Sequence, residues 1–351
     1  MAEASLVVQT SFLGDVVLTT PLVRELATRG AVDVVVRPEA AGLLAHDPGV
    51  RRVVVYDKRR GDRGLAGLWR LGRRLRAGGY GAAYMAQGSP RSAALALVAG
   101  CRERVGFDTS RNARALYTRV VRYRADRHHA ERLWRLAAAE GAEPSAGQIR
   151  PRVYPGAEDV AAAEGVLGPA AGTLGAGTPL VALAPGSMWA TKRWPFYAEL
   201  AGGLAGEAVV VVVGGAGDAE LARAVVAACP PGRAVDAAGR LSLLASAAVI
   251  GRANLLVTND SAPEHLASAV GTPTLAIFGP TVPAFGFGPL APGSVTAGVA
   301  DLACRPCDRH GPPACPLGHW RCMRDQAPGV IARQVRAMLA GGSPSLSPSH
   351  V

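Results

Sequence analysis

Short β-branched runs alternate with helical stretches twice over in this chain, and no other feature constrains its fold as much. In the first series the runs at 6–9, 32–37, 53–56 and 82–85, with another near Val105, read as strands, and a helix is expected from about Leu18 to Arg29. In the second, strands are expected at 180–184, 209–214, 255–258 and 274–278, and helices at 195–204, 218–228, 241–250 and 262–270. Strands separated by helices build parallel sheets, so the fold class is α/β. The two series are joined by residues 141–178, rich in Gly, Ala and Pro, with one short helix at about 158–166. We therefore expect Rossmann-like domains at 1–155 and 179–340, a linker region at 156–178 and a disordered tail at 341–351. The 351 residues are enough for two domains, and 49% hydrophobic residues are enough for two cores. Ligands of such sheets bind outside the carboxyl ends of the strands, so a cleft between facing halves is the expected site.

Three segments at strand ends carry candidate chemistry. The first, FLGDVVLTTP, follows strand one. Gly14 would let the chain turn sharply. Asp15 then serves either as a helix N-cap or as a carboxylate general base. The second, APGSMWATKRWP, places Ser187, Thr191 and Lys192 between a strand and a helix, where hydroxyls, amides and cations suit a diphosphate; a solvated surface loop is the plainer reading. The third, TNDSAPEHL, again runs from strand to helix. Asp260 and Ser261 could cap that helix or bind sugar hydroxyls, and the free amides of its first turn suit phosphate. A fourth segment, VGGAGD at 213–218, is a weaker signal, because its glycines lack the full dinucleotide spacing.

The net charge is +11, nearly all of it from arginine; Lys58 and Lys192 are the two lysines. Residues 58–80 hold many arginines, and Leu65, Leu68, Leu71 and Leu75 fit one face of an amphipathic helix. Such charge attracts polyanions without choosing among them. The arginines are dispersed and no aromatic-interleaved basic patch occurs, which disfavours nucleic acid as a partner. No apolar stretch is long enough to span a membrane, and the first residues lack a basic signal-peptide region, so a cytoplasmic protein is expected. Cys304, Cys307, Cys315 and Cys322 fall within one stretch, with His310 and His319 nearby. They are candidates for a structural zinc site, for reduced thiols or for an oxidised form. Cys101 and Cys229 read as ordinary buried thiols.

Taken together, these segments resemble the ADP-heptose–lipopolysaccharide heptosyltransferases (glycosyltransferase family 9), and within that family the heptosyltransferase II branch. The stretches that carry the likeness are SFLGDVVLTTPLVREL, APGSMWATKRWP, TNDSAPEHLASAVGTPTLAIFGPT, GFGP at 286–289 and the cysteine segment. The likeness runs from Val7 to about Val335. Ala262 departs from it, standing where many relatives have Gly.

The resemblance implies a GT-B fold, with the acceptor held by the N-terminal domain and the ADP-sugar by the C-terminal one. It also implies an inverting transfer with no cofactor required. Asp15 becomes the general base, Lys192 the diphosphate contact and Asp260 the heptose contact. Ser261, Ala262 and His265 lie in a phosphate and sugar cradle, while Asp218 and Leu241 face ribose and adenine. The acceptor, an inner core of Kdo and heptose on lipid A, is anionic, so Gly14, Arg60, Arg63 and Arg91, with Arg59, are expected on its side. Peripheral contact with the cytoplasmic face of the inner membrane and a monomeric state are expected. The competing readings are a transferase for another nucleotide-linked sugar and a nicotinamide-dependent Rossmann oxidoreductase. Against the latter, the first turn reads SFLGD rather than GxGxxG.

Overall fold

The computed structural model describes residues 3–175 and 177–341, and the chain divides into two compact units, Met1–Tyr154 and Pro155–Val351. Except for Gly341, the expected tail at 341–351 lies outside the described residues.

The first unit is a six-stranded parallel sheet: β1 (Ala4–Val8), β2 (Val32–Val36), β3 (Arg52–Val55), β4 (Tyr80–Met85), β5 (Glu103–Phe107) and β6 (Arg119–Val121), in the order β3-β2-β1-β4-β5-β6. The main helices are α1 (Leu13–Ala27), α2 (Gly64–Arg76), α3 (Pro90–Val98) and α4 (His129–Trp134). β1 and β2 are nearly continuous Val and Leu because both of their faces are covered. The one acid in β2, Asp33, is fully buried and bound by Arg51, Arg52 and the Tyr80 hydroxyl, whose pKa burial and Asp33 push up to about 12.

The second unit repeats the design. Its strands are β7 (Leu180–Ala184), β8 (Val209–Val212), β9 (Ala234–Asp236), β10 (Leu255–Asn259), β11 (Thr274–Ile277) and β12 (Val295–Ala297), all parallel, in the order β12-β11-β10-β7-β8-β9. Counted from β1 and from β7, both sheets have the Rossmann order 3-2-1-4-5-6. The helices used below are α5 (Ala157–Leu167), α6 (Tyr197–Leu204), α7 (Ala219–Ala227), α8 (Leu243–Arg252), α9 (Ala262–Val270) and α10 (Pro328–Leu339). The segment read as a linker is largely helical and belongs to this unit. Asp159 of α5 accepts a hydrogen bond from Ser242 at the start of α8, and Glu164 meets Arg252 at its end. The core holds Val181, Leu183, Trp194, Leu200, Val210, Val212, Val257, Ile277 and Val335.

In each sheet the strand order reverses at the first strand, β1 or β7. The loops leaving that strand and its neighbour, β4 or β10, therefore diverge and open a crevice at the carboxyl edge. These loops lead to Asp15, Arg91, Lys192 and Asp260, whereas Arg60 and Arg63 follow β3, Asp218 follows β8 and Leu241 follows β9.

Candidate active site and family

In the second unit, the loop after β7 and the end of β10 bring together residues far apart in sequence. Lys192 Nζ lies 2.6 Å from Asp260 Oδ2, and the Thr281 hydroxyl donates to the same oxygen at 2.6 Å. Lys192 and Asp260 are 8% and 9% exposed, so this is a largely desolvated pair and not the solvated loop cation that is the plainer reading of 184–195. The preceding residue, Asn259, is fully buried and holds the loop in place. Its amide donates to the carbonyls of Pro185 and Gly186, and its oxygen accepts from Trp194 N–H and the Tyr197 hydroxyl.

The rest of this edge is built around the same loop. Asp218 accepts from Gly215 N–H and lies so close to Gly186 and Gly214 that a side chain at either would meet its carboxylate. The 213–218 turn thus packs closely on the β7 loop through Asp218, and a side chain at either glycine would displace that carboxylate. Ser187 is partly exposed, and its carbonyl accepts from Arg193. Leu241 is partly exposed, immediately before the α8 cap Ser242. Ser261 is the N-cap residue of α9, although its side chain makes no capping bond. Ser261, Ala262 and Pro263 are partly exposed, whereas Glu264 and His265 are buried, the latter beside Phe287. The start of α9 is thus partly exposed while its acid, Glu264, is enclosed.

Two expectations change. Thr191 is buried and its hydroxyl donates to the Pro312 carbonyl at 2.5 Å, so that hydroxyl is already engaged within the protein. The four clustered cysteines are free thiols, and no group of three or more His, Cys, Asp and Glu suited to a metal occurs among the described residues. Cys322 is 6% exposed and packs in the hydrophobic core, where burial pushes its thiol up to about 11. The segment instead covers the site, because Gly311 lies against Thr191 and the Lys192 stem.

In the first unit, α1 begins at Leu13, five residues earlier than expected. Gly14 is therefore in its first turn and not at a sharp bend, and Phe12 is the N-cap. Asp15 is the third helical residue. Its Oδ2 accepts from Phe12 N–H at 3.3 Å, and its Oδ1 lies 3.6 Å from Nε2 of His129, the first residue of α4. Asp15 so combines a capping bond with a partly exposed carboxylate facing an imidazole. His128 caps α4 through Nδ1, and Glu131 pairs with Arg127 and Arg135.

Sequence reasoning passed over the polar cluster nearby. Thr10, Lys58 and Gln87 follow β1, β3 and β4, and the Thr10 hydroxyl accepts from Lys58 Nζ at 2.5 Å and from Gln87 Nε2 at 2.6 Å. Burial, then Arg91 and Arg37, lower the Lys58 pKa. The rarity of lysine was its only signal. Arg60 and Arg63 are exposed on the loop into α2, and Arg91 reaches the first residue of that helix through the Gly64 carbonyl at 3.0 Å.

The chain matches glycosyltransferase family 9 (heptosyltransferase) over residues 68–317. It belongs to that family. Lipopolysaccharide heptosyltransferase 2 of Salmonella typhimurium is 30% identical over 80% of this chain and 84% of its own length. Lipopolysaccharide heptosyltransferase 1 of Pseudomonas aeruginosa is 31% identical over 86% and 85%. The solved structure of E. coli ADP-heptose lps heptosyltransferase II superposes with a TM-score of 0.76 at 24% identity, covering 96% of this chain and 99% of that one. As a family 9 glycosyltransferase with the GT-B fold the chain is a transferase enzyme, which removes the oxidoreductase alternative.

Proposed function

We propose that this heptosyltransferase moves heptose from ADP-heptose to the inner core of lipopolysaccharide, as a heptosyltransferase II, by an inverting displacement in which Asp15 is the general base. The observation that carries the reading is the desolvated Lys192–Asp260–Thr281 cluster beside the amino end of α9. A departing diphosphate develops negative charge, and a lysine with free helix amides supplies the compensation. Lys192 then meets the diphosphate and Asp260 a heptose hydroxyl. The partly exposed Ser261 and Ala262 cradle phosphate, and Ser187, Asp218 and Leu241 line the nucleotide side. Thr191 and His265 support this loop and helix from within. A second reading of the base rests on the 3.6 Å Asp15–His129 approach: His129 takes the proton and Asp15 orients it.

The anionic acceptor is assigned to Lys58, Arg60, Arg63 and Arg91. We assign contact with the inner-membrane surface to the neighbouring helix α2. Leu65 and Trp69 are 82% and 55% exposed on it, Arg73 stacks on Trp69 at 4.9 Å, and Arg70, Arg74 and Arg76 are exposed beside them. Exposed Trp and Leu ringed by arginine suit an anionic bilayer interface. No helix among the described residues is long and apolar enough to cross a membrane.

The two surfaces separate in one comparison. Arg60→Ala/Arg63→Ala should raise KM for a water-soluble core acceptor about tenfold and leave KM for ADP-heptose unchanged. Trp69→Ala/Arg73→Ala should leave both KM values unchanged while abolishing co-sedimentation with phosphatidylglycerol vesicles. Equal changes in both KM values would contradict the acceptor assignment. Vesicle binding by the Trp69 variant, or equal binding to neutral vesicles, would contradict the membrane one.

A further inference from the structure

Glu264 is the third residue of α9 and lies four residues after Asp260. A Glu at this position usually turns back to accept the N–H of the N-cap residue. Here it turns inward. The residue is 0% exposed, and both carboxyl oxygens are enclosed without a hydrogen-bond partner. An ionised carboxylate left so unpaired costs far more than a neutral acid does. Burial pushes the Glu264 pKa well above its ordinary 4.5; the Asp260 charge pushes it further and the Lys192 charge draws it back in part. Those are the two charged groups acting on it. The Ser268 hydroxyl, one turn along, is committed to the Glu264 carbonyl. Burial and the Asp260 charge thus both favour the protonated form of Glu264, whose enclosed oxygens make no hydrogen bond.

The Asp260 carboxylate depends on two donors, Lys192 and Thr281, and both reach Oδ2. If a diphosphate draws Lys192 away with no sugar hydroxyl in place, as ADP alone would, Asp260 keeps a single hydroxyl in a site that is 9% exposed. Stranding a buried carboxylate in this way would oppose donor binding. We propose that Glu264 is a positioning residue for the donor, its carboxyl proton taking over Asp260 as the diphosphate draws Lys192 off. This rests on the reading that Lys192 meets the diphosphate. No covalent bond changes; one hydrogen bond replaces another, and the proton stays on Glu264. The exchange also accounts for a buried, unsatisfied acid at a position where an aliphatic side chain would be more stable.

Calorimetric ADP binding across neutral to alkaline pH tests this on the intact enzyme, with Lys192→Ala as the control. Wild-type affinity should fall about tenfold as rising pH removes the Glu264 proton, the loss expected of one buried donor. Glu264→Gln keeps a donor that does not titrate, so its affinity should equal wild type at neutral pH and show no such fall. Glu264→Leu removes the donor and should bind ADP about tenfold more weakly at every pH, while melting at a higher temperature. A raised native pKa contributes stability fully present below the unfolded value and lost as pH rises through the native one, so the Leu variant's thermal advantage should widen with pH. Unaltered ADP affinity in Lys192→Ala would overturn the diphosphate reading and this inference with it. Weakened binding in Lys192→Ala with wild-type binding in Glu264→Leu would overturn this inference alone. If the Leu variant does not fold, the comparison of wild type with Glu264→Gln decides: matching pH profiles overturn it.

Discussion

Asp15→Asn is expected to lower kcat by roughly 10²–10⁴, the span for a lost general base, while leaving ADP-heptose affinity and the melting temperature near wild type. An inverting transfer is a single displacement in which an acceptor hydroxyl attacks the anomeric carbon opposite the leaving ADP. That hydroxyl is a poor nucleophile near neutral pH unless a base takes its proton during attack. Asn keeps an oxygen able to accept the Phe12 N–H, so the first turn of α1 survives the change and the loss is chemical. The His129 ring at 3.6 Å calls for a partner variant, because an aspartate that only orients a histidine also costs several decades when amidated. If Asp15 is the base, His129→Gln should be clearly milder than Asp15→Asn. Equal losses would move the proton to His129, and a near-normal kcat in Asp15→Asn would leave Asp15 as a capping residue.

Lys192→Ala should lower kcat by about 10²–10³, the usual cost of removing one preorganised group from developing charge, and should weaken ADP binding. It should also lower the melting temperature, since Asp260 is left buried with Thr281 as its one remaining partner among the bonds described. The two effects can be separated by the double variant. Lys192→Ala/Asp260→Ala removes the stranded charge and should recover much of the stability, yet no activity. Recovery of kcat together with stability would mean that Lys192 acts only as the ion-pair partner of Asp260.

Much of this architecture is legible in the sequence where patterning is strong. β7 and α9 have the bounds their sequences suggest, Leu180–Ala184 and Ala262–Val270, because a continuous buried apolar run and a Pro-initiated, Gly-terminated helix carry sharp end signals. The edge strands β6, β9 and β12 are three residues each and too short to show a period. α1 begins early because Gly14 and Asp15, which look like turn residues, are accommodated in a first helical turn whose Asp bonds back to Phe12. At the site, strand-to-helix loops point to Lys192 and Asp260 separately. Their pairing across 68 residues depends on parallel β7 and β10 being neighbours, which no local window contains. Lys58 is hidden for the opposite reason: it sits in an arginine-rich run that reads as a solvated helix face, while its ammonium is half-buried against Thr10.

In the proposed reaction, heptose passes from ADP-heptose to an inner-core acceptor while the chain's own groups neutralise the leaving diphosphate. Mass spectrometry of the products formed with EDTA present tests it most directly, with two acceptors compared, one ending in Kdo and one already carrying a first heptose. The heptose-bearing acceptor should gain one further heptose as ADP appears in equal amount. An absolute requirement for added Mg²⁺, or no gain of heptose by either acceptor while the enzyme is folded and binds ADP, would contradict it.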